Sequence, residues 1–314
     1  MEFLKTIMTK LNNITTDYKY SSELKSILRT STNSNPKPNE LFGGIDNDFW
    51  LWLITTGYKN KHTPKGLLPG LPEESVQLHF TGSAGGKTLM EGFNAYVLFK
   101  GIYEKYAGSI SECENILDFG CGWGRTIRFF MRDIEPSRLW GIDANPELIA
   151  ECKNSNSWCN FEVSNTIPSI NFSENTFDLV YCYSVFSHLS EETHEKWITE
   201  FSRTLKPSGI LIVTTWQREY IERCNEIRNM DQIPHWLNTP ASAFLDTEKA
   251  LYDYDNGDFC FSPVGKGEWS FFGEACISEA YVKNHWSDRY SFLEFITDRR
   301  QCPQNVIVVQ KAAE

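Results

Sequence analysis

The run Asp118-Phe119-Gly120-Cys121-Gly122-Trp123-Gly124 sets an acid and three alternating glycines directly after the apolar residues Ile116 and Leu117. Glycines at a strand-to-helix turn let the backbone bend sharply and let a ligand approach without meeting Cβ atoms. The N-terminus of a following helix offers N–H groups to an anion. The spacing is Gly-x-Gly-x-Gly, which differs from the Gly-x-Gly-x-x-Gly of dinucleotide binders. Asp143, 23 positions past Gly120, ends the next predicted strand, where a carboxylate can accept both hydroxyls of a ribose. These residues predict a nucleoside site with an anion-binding turn and no pyrophosphate fingerprint. His188 follows a later predicted strand, on the side where open α/β sheets bind ligands. A histidine there can take a proton from a hydroxyl near neutral pH; it can equally be a hydrogen-bonded scaffold residue. Trp123 and Arg125 are expected to pack and pair locally, and Glu191-Glu192 to support a helix start.

These residues must be positioned by elements, and between 114 and 215 short apolar runs alternate with helix-like segments. Strands are predicted at 115–119, 138–143, 160–163, 177–184 and 209–215, with helices at 124–133, 146–154 and 191–205. Near-continuous apolar strands alternating with helices mark a parallel sheet covered on both faces. Asp178 reads as a residue at the start of its strand. Two further apolar runs, 292–298 and 305–311, are only six residues apart, too few for a parallel crossover, and are expected to form an antiparallel hairpin. Residues 1–110 read as a helical and loop extension, with an amphipathic helix from Thr88 to Tyr106 whose apolar positions include Leu89, Phe93, Tyr96, Val97 and Ile102. Phe3, Leu4, Ile7, Met8, Leu11 and Ile14 recur at helical spacing near the N-terminus. Residues 111–314 form the main domain, with an aromatic-rich insertion at 216–286.

With these motifs in order, the chain resembles the class I S-adenosylmethionine-dependent methyltransferase family, closely over about 115–215. The resemblance implies an α/β fold, Rossmann-like: a seven-stranded, mostly parallel sheet with the last strand inserted antiparallel. It implies S-adenosyl-L-methionine as cofactor. In the family the Asp-x-Gly-x-Gly-x-Gly turn cradles the methionine part, which matches Asp118, Gly120, Gly122 and Gly124, with Asp118 equally able to orient the turn through backbone hydrogen bonds; the acid ending the second strand binds the ribose, which matches Asp143. Ser164 or Asn165 is the candidate beside the adenine, since the usual Asp is absent. Cys121, Ala144 and Tyr183 complete the expected cofactor contacts. Asp178-Leu179-Val180 with His188 matches the fourth-strand pattern, with His188 as the candidate catalytic base, and Leu205-Lys206-Pro207-Ser208-Gly209 matches the turn before strand five.

Composition and absent motifs narrow the function further. The chain is 41% hydrophobic and 23% charged, ordinary for a globular protein, and no apolar run is long enough to span a membrane. The N-terminus does not read as a secretory signal. Nine scattered cysteines with no Cys-x-x-Cys pair argue against a disulfide framework or zinc site and for a reducing, cytoplasmic compartment. A net charge of −11 with no basic cluster opposes a nucleic-acid partner. No His/Asp/Cys cluster has metal-ligand spacing, and no Asn/Asp-Pro-Pro-aromatic or Pro-Cys motif follows strand four. The reading that results is metal-independent O-methylation of a sugar, glycan or other small polar acceptor. Aromatic residues of the insertion (Tyr220, Trp236, Phe244, Tyr252, Tyr254, Phe259, Phe261, Trp269, Phe271, Phe272 and Tyr281) are expected to roof its pocket or to form the insertion's own core. The segment 79–93, with Gly82, Ser83, Gly85 and Gly86, resembles segments preceding the cofactor domain in methyltransferases of glycan and natural-product pathways, which implies that it closes over the methionine carboxylate. Two alternatives remain open at this point, a nicotinamide oxidoreductase and a non-catalytic cofactor-binding scaffold.

Overall fold

The computed structural model describes residues 2–31, 35–168, 170–264 and 270–312, and for 2–15 the backbone only. The N-terminal apolar side chains from Phe3 to Ile14, and Trp269, lie outside the described residues. Helices run α1 Glu2–Thr30, α2 Pro38–Phe42, α3 Asn47–Thr55, α4 Glu74–Thr81, α5 Gly86–Tyr106, α6 Ile127–Phe130, α7 Pro146–Ser155, α8 Glu191–Thr204, α9 Arg218–Arg228, α10 Asn238–Ser242, α11 Thr247–Asn256 and α12 Glu279–His285. Strands are β1 Ile116–Phe119, β2 Leu139–Asp143, β3 Asn160–Val163, β4 Phe177–Cys182, β5 Leu205–Thr215, β6 Cys260–Pro263, β7 Gly273–Cys276, β8 Tyr290–Ile296 and β9 Asn305–Lys311.

Seven strands form one sheet in the order β3-β2-β1-β4-β5-β9-β8. β1 to β5 pair in parallel, and β9 runs antiparallel between β5 and β8. The expected Rossmann-like sheet and terminal hairpin are therefore present. β1 has β2 on one side and β4 on the other, so the chain reverses direction across the sheet there. That crevice is where open α/β sheets bind ligands.

Alternate residues of each strand enter opposite cores, as the two-residue period of a strand requires. Ile116, Tyr181, Ile210 and Val308 share one core with Leu24, Trp50, Phe93 and Phe99 of the N-terminal helices. Leu117, Val180, Leu211 and Ile307 face the other, against Trp197 and Phe201 of α8 and Tyr281 of α12. The N-terminal helices thus share, with Ile127, Phe130 and Leu148 of α6 and α7, the layer that buries this face of the sheet. A polar seam crosses this packing, in which Arg132 donates to Tyr96 Oη at 2.6 Å and Tyr96 donates to Asp133 at 2.5 Å.

Three local expectations are corrected. The helix expected over 124–133 shrinks to α6, and Gly124, at φ 75°, belongs to the turn and not to a right-handed helix. The Leu205–Gly209 turn is present but lies inside β5: Leu205 already pairs with Phe177, residues 206–209 bulge out with Ser208 at φ 62°, and the ladder resumes at Ile210. Val97 is 40% exposed, and the buried stripe of α5 runs instead through Leu89, Gly92, Phe93, Tyr96 and Phe99.

Gly92 lets α5 lie directly on the glycine-rich turn. A Cβ there would sit 2.6 Å from Arg125 O and 2.7 Å from Arg125 Cγ. Alanine would gain about 1 kcal/mol of helix propensity, but overpacking a fixed backbone contact costs about 1–3 kcal/mol. Gly92→Ala is therefore expected to lower Tm by about 2–4 °C, read by calorimetry; a raised Tm would show that the turn yields freely.

Candidate active site

The turn after β1 has left-handed backbone, with φ 70° at Gly120 and 55° at Gly122. At Gly120 a Cβ would lie 2.2 Å from Val185 Cγ2, so any side chain collides with the loop after β4. At Gly122 a Cβ would meet nothing within 4 Å, which makes this the open face of the turn.

The amides of the turn are largely committed inside the fold. Gly120 and Cys121 both donate to Ile142 O, at 2.8 and 3.0 Å, and Gly124 donates to Cys121 O at 2.9 Å. Gly122 donates to Asp143 Oδ2 at 2.9 Å. The expected row of free N–H groups is thus reduced, because a half-buried turn must satisfy its own donors. The Cys121 thiol is buried beneath the turn and directed at Gly122 O, 3.6 Å away, so the contact expected of this residue falls to its backbone.

Asp143 holds two strand ends together. Its Oδ1 accepts from Asn145 N at 2.8 Å while Oδ2 takes the Gly122 amide. Asn145 in turn caps α7, accepting from the Glu147 and Leu148 amides, with Pro146 in the first helical position. Burial raises the Asp143 pKa, opposed by the Asn145 and Gly122 amides. A carboxylate oxygen has two lone pairs, so each oxygen can still accept a ribose hydroxyl. Ala144 is exposed beside it, Ser164 is buried with its amide donating to Asp143 O at 2.9 Å, and Asn165 is exposed.

Asp118 lies under the turn, buried, with Oδ2 lacking a hydrogen-bond partner among the described residues. Burial pushes its pKa up to about 7, while the Tyr181 hydroxyl and the Ile127 amide pull it down. The Tyr181 hydroxyl stands beside the carboxylate without completing a hydrogen bond. An orphaned acid, an open glycine face and a carboxylate with spare lone pairs fit a ligand bearing an ammonium and two vicinal hydroxyls. Tyr183 is half-buried, with the Arg125 guanidinium 5.1 Å above its ring. Arg125 pairs with Glu91 at 3.1 Å, and Ser83 donates to the same Glu91 oxygen at 2.9 Å. The segment 79–93 therefore reaches the turn through Glu91. Trp123 is buried under Arg128, whose guanidinium lies 4.8 Å from its ring.

Arg128 was not singled out in the sequence and is central here. It is 1% exposed and donates to the carbonyls of Gly124, Trp123 and Gly70, at 2.8, 3.3 and 2.9 Å. Burial lowers its pKa to about 10, so it stays charged at neutral pH. By helical spacing it falls with Arg125 and Arg132 on what reads as a basic face, so the sequence carries no signal of its burial.

His188 sits in the loop after β4, which is paired to β7: Gly273 N donates to His188 O at 2.9 Å, and Ala275 N to Ser187 O at 2.8 Å. Its Nδ1 lies 2.9 Å from Gly273 O. A carbonyl can only accept, so Nδ1 carries the proton and Nε2 keeps the ring's lone pair in the neutral form. Phe272 stacks on the imidazole at 5.3 Å between centroids. Asp178 is structural, as expected at a strand start: Oδ2 accepts from the Glu114 and Asn115 amides, both at 2.9 Å, and Lys206 binds it at 3.0 Å. Glu191 and Glu192 lie in the first turn of α8, which Ser190 caps. Among the described residues no three His, Cys, Asp or Glu side chains gather at metal-binding distance.

The family described as "Methyltransferase domain" matches residues 116–209, from β1 into β5. The chain carries a class I S-adenosylmethionine-dependent methyltransferase domain. That assignment sets the nicotinamide alternative aside. The protein named "Probable methyltransferase ltbC" of Aspergillus luteorubrus is 29% identical over 46% of this chain and 53% of its own. The sterol 24-C-methyltransferase of Kluyveromyces lactis is 28% identical over 58% and 54%. The phosphoethanolamine N-methyltransferase of Plasmodium falciparum is 30% identical over 34% and 41%. The chain thus spans about half the length of the curated relatives it matches, and two of these are named for different acceptor atoms. Similarity places the methyltransferase domain and leaves the acceptor to the site.

Two measurements test this geometry. Asp143→Ala should weaken S-adenosylhomocysteine binding by about 2–4 kcal/mol in titration calorimetry, since a charge-assisted contact and the Gly122 anchor are both lost; binding as tight as the parent's would remove Asp143 from the site. Asp118 holds a proton in the folded, ligand-free protein up to about pH 7 that the unfolded chain releases near 4. Its contribution to stability is present below pH 4 and is lost as pH rises through 7. The difference in Tm between Asp118→Asn and the parent should accordingly grow in favour of the variant from pH 4 to pH 7.5, and a difference flat with pH would contradict the burial argument.

Proposed function

We propose that this chain is an S-adenosylmethionine-dependent O-methyltransferase acting on a hydroxyl of a sugar, a glycan or another small polar acceptor. The observation that carries the reading is the His188 ring, whose Nδ1 is committed to Gly273 O at the exit of β4. Its Nε2 is thereby the nitrogen available to take a hydroxyl proton. S-adenosylmethionine supplies an electrophilic methyl on a sulfur that leaves as a neutral thioether. The chain then needs to align the acceptor and remove its proton.

In this reading Asp143 orients the ribose, and the open face at Gly122 receives the amino-acid end beside Asp118 and the Glu91–Arg125 pair. Val163 and Ile167, 54% and 52% exposed, flank Ser164 where a flat base would cover them. The insertion 216–286 supplies the acceptor side. A cavity of about 950 Å³ opens past the end of β5, lined in part by Gln217, Arg218, Tyr254, Arg299 and Asn305. Gln217 Oε1 and Asn305 Oδ1 are buried without partners in the chain, among the described residues. Two such acceptors suit the hydroxyls of a polyol. Most insertion aromatics serve its own packing: Phe244 is in a buried cluster and Trp216 stacks on Tyr220 at 4.2 Å. Tyr254 lines the cavity, while Trp236 and Tyr252 face solvent.

The test uses S-adenosylmethionine labelled in its methyl group with p-nitrophenyl glycosides as acceptors, and locates the methyl by NMR. Label on a sugar oxygen is expected; label on nitrogen, carbon or a protein side chain would overturn the proposal. His188→Ala should lower kcat by ~10²–10⁴ with little change in cofactor affinity. It should also flatten the acid limb of the pH–rate profile, because deprotonating the ring is what creates the active form. A small loss with an unchanged profile would return His188 to a scaffold role.

A further inference from the structure

The strand that grips the His188 loop also carries an acid that the function above does not use. Glu274 in β7 is 4% exposed, one residue past the carbonyl that binds His188 Nδ1. Its Oε2 accepts from Trp216 Nε1 at 2.6 Å and lies 3.7 Å from His188 Nδ1. A carboxylate taken out of water is costly unless charge or hydrogen bonds compensate it. Burial accordingly raises the Glu274 pKa, and the His188 ring is the first of the groups that pull it back, ahead of Tyr220 and Trp216. Phe272, Gly273 and Glu274 are consecutive, and the three meet the same imidazole as a stacked ring, a carbonyl and a carboxylate.

We infer that Glu274 is a positioning residue for His188, holding the ring's Nδ1 side and stabilising the imidazolium that forms at the exit of β4. The inference rests on the base role of His188 proposed above. The acceptor oxygen would gain the methyl as the methyl–sulfur bond breaks and a neutral thioether leaves; the acceptor's O–H bond breaks, its proton goes to Nε2, and the new positive charge is shared with Nδ1–H beside the Glu274 carboxylate. Other titratable groups packed on this acid are the Tyr220 hydroxyl and the Cys224 and Cys276 thiols, all driven to higher pKa by burial and uncharged at neutral pH. On the ring's other contacts, Phe272 and Trp216, there is no charge, so Glu274 supplies the anion at this imidazole.

Glu274→Gln keeps the size of the side chain and an oxygen for Trp216 Nε1 while removing the charge. In the cofactor-free protein with ¹⁵N-labelled histidine, the His188 ring should become protonated at lower pH in Glu274→Gln than in the parent, because an opposite charge beside a ring favours its protonated form. The acid limb of the pH–rate profile on the glycoside acceptor should move down with it. Glu274→Asp should lie between the two, and it also serves as the reporter if Glu274→Gln does not fold. A His188 titration unmoved in a folded Glu274 variant would overturn the inference, whatever the turnover. A moved titration combined with full activity of His188→Ala would instead leave the ion pair standing and remove the base role, so the two failures are distinguishable.

Discussion

The Asp143 carboxylate, shared between the Gly122 and Asn145 amides, is the interaction on which the site depends. One side chain at the end of β2 ties the glycine turn after β1 to the start of α7. With Gly120 and Cys121 both donating to Ile142 O, the turn is stitched to the neighbouring strand at three points. A Gly-rich turn held in this way is preorganised, so little conformational entropy is lost when a ligand binds. The same economy explains why burial raises the pKa of Asp143 without neutralising its role: the two amides are the groups that favour its charge.

The turn is also held from below and from the N-terminal side. Arg128 gathers carbonyls from the turn and from Gly70, so a buried cation satisfies acceptors that no helix or sheet reaches. The N-terminal helices bury one face of the sheet through Trp50, Phe93 and Phe99. Losing that layer would expose the face of β1 and β4 that carries Ile116 and Tyr181. The extension is part of the scaffold that fixes the turn.

At the exit of β4 the segment after β5 acts through its backbone. β7 pairs with the loop after β4 and brings Phe272, Gly273 and Glu274 against one imidazole. A loop that would otherwise be mobile after a strand exit becomes a short ladder, and the ring's tautomer follows from a carbonyl that can only accept.

The sequence by itself determined the sheet, the glycine turn and Asp143. Each is a local pattern: apolar runs of strand length, three glycines at a turn, an acid at the next strand's end, and two runs too close for a crossover. Which amides of the turn remain free, that the Cys121 thiol points inward, that α6 is only four residues long, and that Arg128 latches Gly70 were decided by tertiary structure. So was the approach of Glu274 to His188. These depend on hydrogen-bond partners far apart in the chain, and a donor's partner is chosen by burial and geometry, which residue type and spacing do not encode.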